Sequence, residues 1–448
     1  MSESPVEWWR PGAADVRPVA ASRVATEPLP ESVTGPVTGP VTEPARAGPA
    51  FWAAMVFTAI LLLAPQERFQ ALAPLRIALV SAAVAVLFHV LTRLSQRRPV
   101  VSFNPAIVYV LCLVGWAIAT LPFSHWPGGS LTFLLGDYLK PVVIFVLLAN
   151  VIDRPSLLLR FSWGLVLISV PLALVTLKHF AAGEFVGPSG RVAGYSTGLT
   201  GNPNDMALWL NLVLPFCAAL FLASRAVGAR LFLAAVACLF VAAIVVTFSR
   251  AGFMTLAVIA ACYFWRLRGR PERAWLLAAL LLALTALPLL PTDYVERMAT
   301  IVEVEDDASR SAEIRLADTK AAVRLSVKHP LVGAGIGMGA LAMNEERGAS
   351  WTEIHNVYLQ LMVDLGLPGL LLFLLLFRYC FRATGWTAGG SAGGRAHDPL
   401  FLVTEGIRVS LAAFAVAAFF HPVAYHFYFY YIASLAVAAG AIHQAKHT

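Results

Sequence analysis

The sequence predicts an all-α protein, a polytopic membrane bundle of about twelve transmembrane helices. Of its 448 residues, 58% are hydrophobic and 13% are charged, and this charged share is about half that of a typical soluble domain. The apolar residues form blocks of roughly 14 to 22 residues, a length that matches the thickness of a bilayer core. No alternating barrel pattern runs through these blocks, which leaves helices as the spanning structure. The composition excludes an ordinary soluble enzyme, a disordered chain and a collagen.

The first fifty residues contain no apolar run, so no cleavable signal peptide is expected. They are rich in Pro, Thr, Ala and Val, with a short repeat that begins at Val33, Val37 and Val41. Such a segment cannot bury enough apolar area to offset the cost of ordering it. We therefore predict a disordered cytoplasmic tail over 1–50 and a transmembrane domain over 51–448.

The predicted spans alternate with short connections that carry arginine, glycine and proline. Arginines concentrate in the even-numbered connections, as at Arg93, Arg97 and Arg98, which places both termini in the cytoplasm by the positive-inside rule. The net charge of +7 therefore indicates loop orientation, and no nucleic-acid partner is expected. The predicted spans lie at about 51–64, 75–92, 104–122, 134–151, 158–177, 205–223, 230–247, 251–265, 274–290, 356–377, 404–420 and 425–443.

A few charges fall inside these spans at helical spacing. Asp137 precedes Lys140 by three residues, and Glu405 precedes Arg408 by three. Residues at this spacing lie on the same helix face. We therefore expect the two residues of each pair to form an ion pair within their own helix.

Two connections on the predicted outer side are long, at 178–204 and 291–354. Long connections in a compact protein are usually functional. We predict that 291–354 forms a small helical periplasmic cap between the ninth and tenth spans. Its helix should cover 309–328 and end before Pro330 and the glycine-rich turn at 333–337, with apolar positions at Ile314, Ala317, Ala321 and Leu325.

Arg191 and Arg250 stand out on the predicted outer side, where positive charges are scarce. An arginine at a membrane boundary must reach water or a partner. A guanidinium group matches phosphate oxygens in geometry and keeps its charge. The alternative reading is that Arg250 merely extends to the interface.

His355 and Asn356 lie where the long outer connection enters the tenth span. Histidine is the side chain most easily used as a base near neutral pH. The positive end of a helix dipole and the nearby arginines both favour the neutral imidazole, which can accept a proton. In the alternative reading His355 packs at the interface and Asn356 only caps the helix.

The residues before the sixth span read GYSTGLTGNPN, with Asn202 and Asn204 on either side of Pro203. They predict either a capped junction or a backbone surface that lines a polar site. The sequence has no Walker A loop, HExxH, CxxC or GxSxG motif and no Asp-x-Asp pair. We therefore expect neither a metal site nor a cofactor.

Taken together, these motifs resemble the O-antigen ligase and polymerase family of bacterial inner-membrane proteins, over about 160–376. The order, spacing and shared side of the motifs carry the resemblance. One departure is that Leu-Ala-Asp-Thr follows Arg315, where the family often has an aromatic residue. The motifs are GR-x-x-G at 190–194, GNPN at 201–204, SRAG at 249–252, the cap residue Arg315, HPLVGAGIGMG at 329–339 and HNVYLQLMVDLGLPG at 355–369.

The resemblance implies an inverting, metal-independent glycosyltransferase whose donor is a glycan on undecaprenyl diphosphate. It implies that Arg191 and Arg250 hold the diphosphate, that His355 is the general base, and that Arg315 supports the site. The acceptor hydroxyl would belong to a lipid A–core sugar, another lipid-linked glycan or, less readily, a protein. These motifs do not separate a ligase from a polysaccharide polymerase, and a membrane transporter or flippase stays open as an alternative.

Overall fold

The computed structural model describes residues 47–185, 191–192, 194, 201–269, 273–274, 311–348, 353–385 and 398–445. These residues form helices and their connections, with no β-strand among them. The all-α prediction is confirmed for this part of the chain. The predicted tail up to residue 46 lies outside it. The helices are α1 Pro49–Leu63, α2 Ile77–Ser95, α3 Pro105–Thr120, α4 Pro127–Val151, α5 Pro155–Ala181, α6 Pro203–Ala223, α7 Val227–Val246, α8 Arg250–Arg266, α9 Ser311–Lys328, α10 Gly339–Arg347, α11 Val357–Ala383, α12 Pro399–Ala417 and α13 Phe427–Ala445.

Proline sets the start of many of these helices. It occupies the first helical position of α1, α3, α5, α6 and α12, where a missing N–H costs nothing and the fixed φ suits a helix. Asparagine or aspartate side chains cap several of them, as Asn104 does for α3 by accepting the N–H of Ile107 at 3.1 Å.

Eight helical segments in the described part of the chain are long and apolar enough to cross a membrane. They correspond to α2 through α7, α11 and α12, so the protein is a multi-pass membrane protein. Helices α1, α8 and α13 coincide with three further predicted spans. The predicted ninth span, 274–290, lies almost wholly outside the described residues, so the count of twelve stays a prediction.

Helices α6 and α12 form the centre of the bundle, and α2 lies at its edge. A small residue permits the close central contact, because a Cβ on Gly406 of α12 would lie 2.9 Å from the Pro215 carbonyl oxygen of α6. Membrane helices use such small residues to bring their backbones together. Ser410 strengthens the contact by donating to the Leu212 carbonyl at 2.7 Å.

The predicted tenth span is not a continuous helix. Gly366 interrupts α11 with φ 68° and ψ −172°, and Pro368 follows it. The break frees backbone groups that a membrane protein must satisfy internally. The carbonyl oxygens of Val363 and Asp364 accept the amides of Ala334 and Gly335, at 2.6 and 2.9 Å.

Two further hydrogen bonds satisfy backbone groups on either side of Gly366. The indole of Trp116 donates to the Leu365 carbonyl at 2.8 Å, and the amide of Leu367 donates to the Pro330 carbonyl at 2.8 Å. The glycine-rich turn predicted at 333–337 is therefore the partner of a broken helix. Its glycines are required sterically, since a Cβ on Gly335 would lie 2.0 Å from the Ser124 hydroxyl oxygen.

Helices α9 and α10 pack together next to this turn. Of the four apolar positions at helical spacing, Ala321 and Leu325 are buried and Ala317 is exposed, and the side chain of Ile314 is outside the described part. Helix α9 therefore buries a narrow face against α10 and α11. The helix ends at Lys328, before Pro330, as expected. A location outside the membrane stays a prediction for this cap.

Candidate functional site

Asn204, in the first turn of α6, is the centre of the candidate site. Its amide oxygen accepts a hydrogen bond from the guanidinium of Arg191 and another from the hydroxyl of Ser249 at 2.8 Å. Asn202 caps the same helix, accepting the Asn204 amide at 2.9 Å. One side chain therefore joins the segment of Arg191 to the residue that precedes Arg250.

Ser249 also sets the start of α8. Its hydroxyl accepts the Gly252 amide at 3.1 Å, which makes it the helix cap. A Cβ on Gly252 would lie 2.6 Å from the Ala207 Cβ, so α8 begins in close contact with α6. Arg250 is the first residue of α8 and is partly buried. The structure thus brings Arg191 and Ser249, the residue before Arg250, to the same group of hydrogen bonds.

His355 lies directly before the cap of α11. Its Nδ1 is 2.9 Å from the Glu353 carbonyl oxygen. Because a carbonyl oxygen only accepts, Nδ1 carries the proton in the neutral ring, which leaves the lone pair on Nε2. Asn356 caps α11 by accepting the amides of Tyr358 and Leu359, at 2.9 and 3.1 Å. Its predicted capping role is confirmed.

The connection between α12 and α13 joins His355 to the arginine side of the site. The Val357 amide at the start of α11 donates to the Ala418 carbonyl at 2.8 Å. His421, three residues later, places Nε2 3.3 Å from the Asn204 carbonyl oxygen. Its Nδ1 lies 2.8 Å from the Ala417 carbonyl oxygen, and the side chain is 1% exposed. His421 therefore links the segment of His355 to Asn204.

The hydrogen bonds through Asn204, His421 and Ala418 show that three helix starts lie at the same end of the bundle. They are the starts of α6, α8 and α11, which are capped by Asn202, Ser249 and Asn356. Helix N-termini carry partial positive charge and attract anions. Two arginines and three helix starts together make a site that suits a multiply charged anion.

The lengths of α8 and α12 show that Arg250 and His355 lie at similar depths in the bundle. At the opposite end of α8, Arg266 forms an ion pair with Glu405 of α12. The 17 residues of α8 separate Arg250 from this pair by about 25 Å, and the stretch of α12 from Glu405 to Ala417 covers about 20 Å. Arg250 and the connection that holds His355 therefore lie at comparable depth in the bundle.

The Glu405 pairing corrects a sequence expectation. Glu405 binds Arg266 of α8 and not Arg408, whose guanidinium lies 4.8 Å from the centre of the Phe381 ring. A buried carboxylate needs a desolvated cationic partner, and a neighbouring helix supplies it better than the next turn of the same helix. Asp137 and Lys140 do pair as expected, at 3.7 Å.

Other predicted residues fall at the edge of the described part. Arg315 belongs to α9, but its side chain is outside the described residues, and so is the whole 195–200 stretch. Among described residues, no group of three or more His, Cys, Asp or Glu side chains has the arrangement of a metal site. The predicted roles of Arg191, Arg250, His355 and Arg315 stay predictions.

Sequence reasoning missed two residues of this arrangement. Ser249 was within the SRAG motif but was not singled out, although a serine before an apolar run is a typical helix cap. His421 carried the weaker signal of a single histidine before Pro422, at the end of a span. Nothing in the sequence indicated that its ring reaches Asn204, which lies 217 positions away.

Comparison with known proteins identifies the domain that contains much of this site. Residues 233–374 match the family model described as O-antigen ligase. The match covers Arg250, His355 and the glycine-rich turn, and it begins after Arg191 and Asn204. No curated protein gives a significant match to the chain. The family match confirms the predicted resemblance to the O-antigen ligase and polymerase family over residues 233–374.

Proposed function

We propose that the protein transfers a glycan from a polyprenyl diphosphate carrier, undecaprenyl diphosphate by family resemblance, to an acceptor hydroxyl. The reaction would take place on the periplasmic side of the bacterial inner membrane. The family match supports glycan transfer of the O-antigen ligase or polymerase type. The observation that carries the finer proposal is the bridge through Asn204. Asn204 bonds Arg191 directly, accepts a hydrogen bond from Ser249, which precedes Arg250, and contacts His421 in the connection that follows α12.

The diphosphate would bind at Arg191 and Arg250, next to the starts of α6 and α8. As the bond between the anomeric carbon and the diphosphate oxygen breaks, negative charge grows on the leaving diphosphate. Fixed guanidinium groups and helix dipoles stabilise that charge without reorganising. These fixed charges do the work that a metal ion does elsewhere, so the proposed mechanism is metal-independent.

His355 would act as the general base. Its Nδ1–H bond to the Glu353 carbonyl fixes the ring and the tautomer. Nε2 takes the proton of the acceptor hydroxyl as the oxygen attacks the anomeric carbon. The new bond forms on the face opposite the departing diphosphate, so one displacement inverts the anomeric configuration. Electrons leave with the diphosphate, and the proton ends on His355.

The test uses the full chain in lipid nanodiscs with a synthetic polyprenyl-diphosphate glycan and candidate acceptors. We expect H355A to reduce kcat by about 100-fold or more, and R250A to reduce kcat/KM by a similar factor. His443 and Arg268 lie toward the opposite ends of α13 and α8, so H443A and R268A are matched controls that should keep full transfer. Full transfer by correctly inserted H355A and R250A would refute the mechanism.

The length of the product distinguishes ligase activity from polymerase activity. A ligase adds one glycan to each acceptor, whereas a polymerase gives a ladder of products. The ligase is our first proposal and the polymerase the alternative. The same assay distinguishes them without any variant.

A further inference from the structure

Phe248 has a backbone conformation that few residues other than glycine adopt. It lies between α7 and α8 with φ 54°, and its amide donates to the Val245 carbonyl at 3.1 Å. Glycine is the usual residue at this position after a helix end, because a Cβ makes the left-handed conformation unfavourable. Strain of this kind persists only where the surrounding structure holds it, and it is concentrated at functional sites. The contacts of the Phe248 side chain must therefore offset the strain.

Those contacts form a small apolar cluster that is separate from the main core. Val192 and Phe248 are its buried members, at 0% and 8% exposed, and Phe180 and Val245 pack against them. The rings of Phe180 and Phe248 lie with their centres 6.2 Å apart. The cluster therefore joins the end of α5, the segment of Arg191 and the turn between α7 and α8.

This cluster lies directly beside the polar contact through Asn204. Val192 follows Arg191 in the chain, and Phe248 precedes Ser249. The Arg191 guanidinium and the Ser249 hydroxyl both donate to the Asn204 oxygen. The segment of Arg191 is thus tied to the start of α8 by two adjacent contacts, one polar and one apolar. A single contact would let the two segments turn about it, whereas two adjacent contacts restrict that rotation.

A bound diphosphate requires a fixed separation between the arginines that hold it. Its two phosphate groups are joined, so the guanidinium groups cannot vary their spacing freely. Charge stabilisation is greatest when these groups do not have to move during the reaction. Arginine side chains are long and flexible, and ordering them on binding has an entropy cost. Fixing the two backbone segments relative to each other removes part of that cost before the substrate binds.

We propose that Phe248 is a positioning residue for the donor diphosphate. Packed against Val192, it holds the segments of Arg191 and Arg250 at the separation that the diphosphate requires. This inference rests on the proposed function. Phe248 contacts no substrate in this role and acts only through the two arginines.

The test measures binding of a labelled polyprenyl-diphosphate glycan to the full chain in lipid nanodiscs. F248A should raise the donor Kd about tenfold, because the arginines lose their fixed separation. F248L keeps an apolar side chain in the cluster and should restore the donor Kd to within about twofold of that of the unaltered protein. V192A removes the partner of the same contact, so it should raise the donor Kd as well, and combining it with F248A should add little.

A double-mutant cycle separates positioning from a general effect on the fold. In R191A or R250A, no separation between two arginines remains to be fixed. F248A should therefore raise the donor Kd by no more than about twofold in either background. An effect of about tenfold that persists in both backgrounds would overturn the proposal. A donor Kd for F248A equal to that of the unaltered protein would overturn it as well.

F240A is the matched control, because Phe240 is a fully buried phenylalanine of α7 that lies about 12 Å from Phe248 along the helix. F240A should lower the thermal midpoint of unfolding without changing the donor Kd. A donor Kd that rises as much in F240A as in F248A would contradict the proposal, since any lost phenylalanine would then have this effect. V192A removes less volume and applies the same test if F248A does not insert correctly.

Failure of the proposed function would be recognised separately. Donor binding that weakens in F248A as expected, in a protein that transfers no glycan to any acceptor, would refute the proposed transfer and support the inference. Glycan transfer by the unaltered protein, together with an unchanged donor Kd in F248A, would overturn the inference and leave the proposed function intact.

Discussion

Replacing Gly366 by alanine should strongly destabilise the protein, because the backbone conformation and the neighbouring backbone atoms both exclude a Cβ. The backbone at Gly366 has φ 68° and ψ −172°, a region that is almost exclusive to glycine and costs other residues about 1–3 kcal/mol. The new Cβ would also lie 2.2 Å from the Leu331 carbonyl oxygen and 2.9 Å from the Pro330 carbonyl oxygen. Both obstacles are backbone atoms, which cannot turn aside as a flexible side chain can.

The two costs add, because one is conformational and the other steric. Overpacking against a rigid neighbour costs about 1–3 kcal/mol, so the total is about 2–6 kcal/mol. Relief requires the 330–331 segment to move away from α11. That movement stretches the bond between the Leu367 amide and the Pro330 carbonyl and loosens the glycine-rich turn.

The assay is thermal denaturation in detergent, followed by size exclusion, together with transfer activity at a permissive temperature. G115A in α3 is the matched control, because a Cβ there meets nothing within 4 Å. Alanine is favoured over glycine inside a helix by about 0.5–1 kcal/mol, so G115A should keep or raise the midpoint. Equal midpoints for G366A and G115A would refute the role given to the break.

Three further predictions concern single contacts. W116F should lower the thermal midpoint less than G366A, since it removes one indole bond to the Leu365 carbonyl worth about 1 kcal/mol; an unchanged midpoint would contradict it. N204L should raise the donor KM about tenfold in a donor titration, because both donors to the Asn204 oxygen lose their acceptor. Lys328 lowers the pKa of Glu346, so the contribution of this pair is present at neutral pH and is lost as the pH falls through that lowered pKa. Hydrogen exchange of α9 and α10 should therefore quicken on acidification, and less so in E346Q.

Most of the helices could be predicted from local signals. Apolar blocks of membrane length and prolines at first helical positions, as at Pro105 and Pro155, predict where the spans lie. The interruption of α11 was harder to predict, because apolar residues continue on both sides of Gly366. A hydropathy value averaged over a window of residues does not detect the break. The only local indication of it was the presence of Gly366 and Pro368 two positions apart.

The residues of the site could be predicted only in part, because local signals indicate residue chemistry but not contacts between distant segments. Residue chemistry and motif order pointed to Arg191, Arg250 and His355, and these do lie on segments that hydrogen bonds connect. The connecting residues were less predictable, because their partners are distant in sequence. Glu405 illustrates this limit, since the local spacing favoured Arg408 while packing supplied Arg266.

The break in α11 explains how His355 comes to the depth of Arg250. The 27 residues of α11 would span about 40 Å as a straight helix, against about 25 Å for α8. The other ends of the two helices lie close in depth, because Phe381 contacts Arg408 one turn from the Arg266–Glu405 pair. A straight α11 would therefore carry His355 about 15 Å beyond Arg250. The turn at Gly366 redirects the first part of the helix, so that its start pairs with Ala418. The glycine-rich turn satisfies the backbone groups that this redirection frees, and the two motifs act on the site as one unit.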